Sequence, residues 1–264
     1  MRRRLDVLLV ASVAAIGLLA VSDSLRPGPS PTEPAVARQP FTPALARQAR
    51  ALGATGEILF SDADCVHRRL ELPELELSVI RRIVGCSVFG HRGSLGIVRG
   101  EVGWYAYPGG VTMLLTRSQL AREAERELGV RTVRVVAAAW LRNTRYAALL
   151  EVPGRQERVL ALFEADRLIR HVAELPAYRE LRSSPRGGWF AALDGKGGLA
   201  LYDAKGERVT LPPGLEGPHA IAWSRDDRLA AVAVGDGLAL FATGSPNPVP
   251  VRLDVPVLDL AWRR

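Results

Sequence analysis

Residues 220–244 read AIAWSRDDRLAAVAVGDGLALFATG: a short apolar run, a charged turn, a second apolar run, Gly-Asp-Gly, and a third. The same order of runs recurs along the chain. At an offset of 134 residues Trp223 falls on Phe89, Leu229 on Leu95 and GLALFATG on GWYAYPGG, with no gap. At an offset of 83, WSRDDRLAAV falls on WLRNTRYAAL from Trp140, and LALF at Leu238 returns as LALF at Leu160 after a connection five residues longer. At an offset of 40, Ser224 falls on Ser184, and LALF becomes LALY from Leu199 after one single-residue shift. Four copies therefore begin near Phe89, Trp140, Ser183 and Trp223. Their steps of roughly 40 to 50 residues are those of a four-stranded antiparallel unit.

Such a unit cannot bury both of its faces alone, so copies must stack on one another. In each copy the apolar approach to the turn is expected as the innermost strand and the LAAVAV-like run as the second. The LALF-like run is expected third, and a Pro-flanked run such as PVPVRL outermost. Small Ala and Gly suit inner strands pressed by their neighbours. The 25 Gly and 18 Pro punctuate the chain as short strands and tight turns require.

The two ends complete one another. Residues 56–78 hold strand-like runs with no inner strand before them, while the chain closes on VPVLDLAWRR, whose DLAW matches the AIAW of the fourth copy. Residues 255–262 are thus expected to supply the innermost strand of a sheet whose other strands come from residues 56–78. The predicted fold is all-β: a β-propeller of five blades of four antiparallel strands over residues 56–264, closed by the C-terminal strand and preceded by one N-terminal membrane or signal helix.

These repeats resemble the WD40-like, TolB-type β-propeller repeats of exported bacterial proteins, whose blades carry a Ser-Pro-Asp-Gly turn followed by an apolar strand. Ser184-Pro185-Arg186-Gly187 matches it best. Ser224-Arg225-Asp226-Asp227 and His91-Arg92-Gly93-Ser94 depart from it, and Tyr202-Asp203 stands where a WD40 blade has Trp-Asp. The resemblance implies a rigid binding platform, a fold that in some members carries an enzymatic site, and does not choose between them.

Two short helices interrupt the pattern. TPALARQARALG reads as one, with Thr42 as N-cap, Pro43 at the first helical position, Gly53 as the stop and Leu45, Ala49 and Leu52 on one face. TRSQLAREAERELG, residues 116–129, reads as an insertion with a Thr116/Gln119 capping box, an apolar face of Leu120, Ala124 and Leu128, and Gly129 at its end. It is expected to pack on the rim.

The N-terminus has the form of an export signal. Arg2, Arg3 and Arg4 precede fifteen uncharged residues, 7–21. As a helix these rise about 22 Å against a hydrocarbon core of roughly 30 Å. Residues 1–24 therefore read as a signal anchor, with cleavage near Ser22 after a small-residue site as the alternative. Residues 25–55 form a linker, and six of the seventeen residues 27–43 are Pro, a stalk-like composition. With the three arginines cytoplasmic, residues 56–264 lie outside, in a cell-membrane protein with an extracytoplasmic domain or, after cleavage, a secreted or periplasmic one. Of the net charge of +7, +4 sits in the first 50 residues, and the remaining arginines are interspersed with acids. That argues against nucleic acid as a partner. The compartment permits a Cys65 to Cys86 disulfide, worth about 3 kcal/mol for a loop of roughly twenty residues in the chain-entropy model.

No pattern points to catalysis, a metal or a cofactor. His67, His91, His171 and His219 lie in no metal-ligand spacing, and His91 and His219 read as solvated turn residues. Asp62 and Asp64 are too few for a calcium cage. Asp226 and Asp227 read as turn formers, and GDG at Gly235 and GKGG at Gly195 as hairpin turns. Trp104, Tyr105 and Tyr107 alternate along one strand and are expected to pack between blades. The function expected is a membrane-anchored binding or assembly platform for a protein or cell-envelope ligand, not an enzyme. The alternative is a glycan-directed envelope hydrolase or lyase with its site in the propeller channel.

Overall fold

In the computed structural model each copy becomes a meander of adjacent antiparallel strands. The structure describes residues 41–82, 96–97, 102–104, 114–142, 145–164, 167–175, 178–194, 196–245 and 247–263. The chain divides into two units, residues 1–37 and 38–264, and all the described residues belong to the second. The predicted signal helix and most of the Pro-rich stalk lie outside the described residues, as do Cys86, His91, Tyr105 and Tyr107.

Among the described residues there are four four-stranded sheets and one three-stranded sheet, all antiparallel. The first, in spatial order β19-β1-β2-β3, joins β1 (Gly56–Asp62), β2 (Val66–Leu72) and β3 (Glu76–Arg82) to the C-terminal strand β19 (Val257–Arg263). Glu57 pairs with Arg263 and Phe60 with Leu260, so the two ends of the domain share one sheet as the DLAW match predicts. The second sheet is β4 (Gly96–Ile97), β5 (Val102–Trp104) and β6 (Leu114–Thr116). The third holds β7 (Arg134–Trp140), β8 (Arg145–Glu151), β9 (Arg158–Glu164) and β10 (Arg167–Leu175). The fourth holds β11 (Glu180–Ser183), β12 (Trp189–Leu193), β13 (Leu199–Asp203) and β14 (Arg208–Val209). The fifth holds β15 (Ala220–Trp223), β16 (Leu229–Val234), β17 (Gly237–Ala242) and β18 (Val249–Arg252). The strands fall where the offsets place them: β4, β5 and β6 align with β16, β17 and β18, and β8 and β12 align with β16.

The strand period of two explains why LALF recurs. In β17, Leu238 and Leu240 face the first sheet while Phe241 faces the fourth. In β13, Leu199 and Leu201 face the fifth sheet and Tyr202 the third. In β9, Leu160 and Leu162 face the fourth sheet, and Phe163 packs with helix α2. Each of these three copies thus sends two leucines forward and one aromatic back, and the inner strand β15 is buried along its whole length. The aromatic stacks on the strand beside it: Tyr146 on Phe163 with centroids 5.3 Å apart, Phe190 on Tyr202 at 5.1 Å, worth about 0.5–1.5 kcal/mol each beyond burial. In the fifth sheet Ala230 stands opposite Phe241, and Trp223 occupies the position held by the smaller Ser183 in the fourth. Bulk lost on one strand is supplied by its neighbour.

Both predicted helices form. Helix α1 (Pro43–Ala51) has Thr42 at its N-cap, although the Thr42 side chain makes no capping bond, and it buries Ala49 with Leu45 and Leu52 against the core between the first and fifth sheets. Helix α2 (Arg117–Leu128) buries Leu120 and Ala124 on the third sheet, and Gly129, the predicted end, is left-handed. Its apolar face is spent on packing.

Candidate ligand-binding cleft

The turns that follow the inner strands β11 and β15 are built the same way. Ser184 Oγ accepts from Trp189 N at 3.1 Å, and Gly187 N donates to Ser184 O at 2.9 Å. Ser224 Oγ accepts from Leu229 N at 3.0 Å, and Asp227 N donates to Ser224 O at 3.0 Å. The serine of the repeat signature therefore closes the hairpin, and the fourth turn residue lies in the left-handed region, at φ 67 for Gly187 and φ 65 for Asp227.

Successive turns interlock. A Cβ on Gly187 would lie 2.3 Å from the Leu141 carbonyl carbon, so only glycine lets the fourth-sheet turn sit against the third-sheet turn. The fifth-sheet turn reaches back in its place with a side chain. The Asp227 carboxylate accepts from Ser184 Oγ at 2.6 Å, Arg186 N at 2.9 Å and Gly188 N at 3.0 Å. Asp227 is buried, and these bonds hold a non-glycine residue in a conformation that ordinarily favours glycine. Its reading as a turn former is correct and incomplete: the departure from Ser-Pro-Asp-Gly is itself the clamp between two sheets.

On its other side the fifth-sheet turn has no hairpin to meet. In the first sheet the inner strand β19 and the next strand β1 come from opposite ends of the domain, so no turn joins β19 to β1. At that seam a cleft of about 1060 Å³ opens. Its lining comes from the end of α1 and the loop after it, including Leu52 and Thr55, from Leu59 on β1, and from the fourth- and fifth-sheet turns. Trp262 and Arg263 of β19 complete it, Trp262 Nε1 donating to Thr55 O at 3.0 Å. Arg186, Arg225, Arg228 and Arg263 line it with one carboxylate, Asp226. Asp226 Oδ1 accepts from Ser224 Oγ at 2.7 Å and Oδ2 from Arg228 Nε at 2.6 Å. The Ser224 hydroxyl first, and then Arg228, hold its carboxyl down at about 2, against the opposing effect of burial. It remains ionised and is not a proton donor near neutral pH.

Below the seam, Arg182 of β11 and Asp259 of β19 form a buried ion pair at 2.6 Å between sheets that flank the fifth, and Arg182 Nη1 also donates to Ile221 O of β15 at 3.4 Å. Three consecutive inner strands are tied through one guanidinium. His219 makes another tie: Nδ1 lies 2.9 Å from Gly217 O and Nε2 contacts Val257 O of β19. This corrects its reading as a solvated turn histidine. His67 is buried in β2, and His171 is exposed on β10.

The remaining candidates serve the backbone. Asp62 accepts from Asp64 N at 3.0 Å, Val66 N at 2.9 Å and Arg68 Nε at 2.7 Å, closing the β1–β2 turn in which Cys65 sits at φ 59. Gly235 and Asp236 form the two-residue connection of β16 to β17, and Asp194 braces the β12–β13 turn by accepting from Lys196 N and Gly198 N. Trp104 lies in β5. Among the described residues no group of three or more His, Cys, Asp or Glu is arranged to hold a metal ion, and no helix is long and apolar enough to cross a membrane.

No protein family and no curated protein matches the chain. Among solved structures it is similar to a eukaryotic initiation factor, at 13% identity and a TM-score of 0.40 over 72% of this chain and 50% of that one. It is similar to Hsv2p of Kluyveromyces lactis at 14% identity and a TM-score of 0.33, over 72% of this chain and 59% of that one. It is also similar to hydrazine synthase of Kuenenia stuttgartiensis at 12% identity and a TM-score of 0.30, over 71% and 62%. The chain thus spans between half and about three fifths of the length of these proteins.

Proposed function

We propose that this chain is a five-bladed, membrane-anchored extracytoplasmic propeller that works as a binding or assembly platform, with the seam cleft as its binding surface. The observation that carries the reading is the cleft itself. It is walled by rigid inner-strand ends and interlocked turns, and its exposed rim is formed by arginines. Its chemistry favours binding over turnover, since the described lining contains one carboxylate, already held by Ser224 and Arg228, and no histidine. The three-arginine flank and apolar run of residues 1–24 support the anchor, and the five sheets among the described residues support the five-blade count.

A photo-crosslinking residue placed at Arg225 in intact cells tests the reading, with Ile169 on the outer strand β10 as the control position. A discrete envelope adduct at position 225 and none at 169 is expected. Equal labelling at both positions, or none at 225, would refute it. The same compartment pairs Cys65 with Cys86, so alkylation of the exported chain should label neither thiol until a reductant is added.

A further inference from the structure

The lining of the cleft is one-sided in charge, with four arginines and a single aspartate. Arg228 is committed to Asp226 at 2.6 Å, and Arg263 stands 3.6 Å from Glu57. Arg186 and Arg225 differ from these. They project from adjacent turns, both are exposed, and neither has an ion-pair partner among the described residues. Arg186 is held in place through its backbone, whose N–H is fixed by Asp227, so its guanidinium contributes nothing to the clamp.

Beneath the rim the polar groups also lean one way. Ser183 and Trp223 belong to the lining and are 3% and 4% exposed, and the Ser183 Oγ and Trp223 Nε1 atoms have no hydrogen-bond partner among the described residues. An indole N–H can only donate, and a buried polar atom left unpaired costs roughly 1–3 kcal/mol. Leu52, Leu59, Leu229 and the Trp262 ring give the same cleft apolar walls. Its volume is that of a site for a small molecule.

We propose that the cleft binds a small oxyanion ligand, a carboxylate or phosphate carried on a short apolar body, with its charge held between Arg186 and Arg225. This rests on the binding reading above and names the ligand chemistry of that site. Two guanidinium forks match the planar oxygens of either anion, and the apolar walls exclude the water that would otherwise screen the charge.

The experiment is calorimetric titration of the full chain in detergent with 2-naphthoate, 2-naphthyl phosphate and the uncharged 2-naphthamide, on the wild type and on R186A/R225A. At least one anion is expected to bind about tenfold or more tightly than the amide. The double variant should lose about tenfold or more of that affinity while its Tm stays within a degree or so of wild type, since neither side chain is paired in the fold. The relative affinity of the two anions distinguishes a carboxylate source from a phosphate one. Binding of the amide as tight as that of the anions, failure of both anions to bind, or unchanged anion affinity in R186A/R225A would overturn the proposal. A specific crosslink at position 225 combined with any of those outcomes would leave the platform standing and remove only its oxyanion.

Discussion

The fifth sheet meets its two neighbours in opposite ways. Toward the fourth sheet its inner turn is clamped, Asp227 filling the neighbouring hairpin with three hydrogen bonds. Toward the first sheet the same turn, four residues long and built on the same serine, borders an open cleft. The repeat is the same on both sides, so the neighbour makes the difference. An interlocking turn requires consecutive strands, and the first sheet takes β19 and β1 from opposite ends of the domain. Pairing strands from opposite ends of the domain leaves a gap where the third–fourth and fourth–fifth junctions have interlocked turns, and that gap is the candidate site.

The seam is nevertheless bonded below the cleft, and removing that bonding should have the largest effect. Deleting residues 257–264 strips Val257 and Leu260 from the core shared by the first and fifth sheets, unpairs one edge of β1 and leaves Arg182 buried without Asp259. The loss is expected to exceed the roughly 5–15 kcal/mol of a typical domain, so the cooperative thermal transition should vanish. A transition unchanged in midpoint would show that the seam contributes nothing to stability.

Next in size is the ion pair that spans the fifth sheet. Arg182→Ala removes a partner of the buried Asp259 carboxylate and should cost about 3–5 kcal/mol, read from urea midpoints. Asp259→Ala should cost less, because Arg182 keeps Glu180 at 2.5 Å. Replacing both, as R182M/D259L, should cost clearly less than the sum of the two single changes. Additive losses would mean that the two groups do not act as a pair, and would weaken the view that the seam is held from below.

The clamp side predicts a smaller and more particular result. Asp227→Ala loses three hydrogen bonds and keeps a side chain at φ 65, and is expected to cost about 2–4 kcal/mol. Asp227→Gly loses the same bonds and relieves the backbone, so it should be milder by about 1 kcal/mol. Chemical denaturation of the two variants gives the order directly. A glycine variant as stable as wild type would make the turn passive, as on the seam side.

What could be read from sequence followed the physics of repetition. LALF, the serine turn and the DLAW ending each reflect a local requirement, such as strand period, hairpin closure or inner-strand packing, and local requirements repeat at a fixed offset. Asp227 escaped that reading because its partners Ser184 and Gly188 lie 43 and 39 residues away and its role depends on a neighbouring copy. His219 escaped for the same reason, since its contact is Val257 O across the seam. The cleft was invisible in any one copy. Arg186, Arg225 and Arg263 look like scattered surface charges until stacking brings two turns and the last strand together.

The smallest expected effect concerns Asp226 of the fifth-sheet turn and depends on pH. Asp226 has its carboxyl held near 2, against 3.8 for the free group, chiefly by the Ser224 hydroxyl and then by Arg228. A folded-state value below the unfolded one stabilises the fold at pH above about 4, and that contribution drains away as pH falls from about 4 toward 2. With 35% of its side chain exposed on the cleft rim, solvent screening limits the contribution to on the order of 1 kcal/mol. Asp226→Asn should therefore lower stability by about that much at pH 7 and flatten the decline between pH 4 and pH 2. Urea midpoints of wild type and variant at pH 7, 4 and 2.5 measure it, and the two curves should converge at the acid end. Parallel curves would mean that the Asp226 charge does not brace the turn, leaving Ser224 and its bond from Leu229 N to shape the cleft edge unaided.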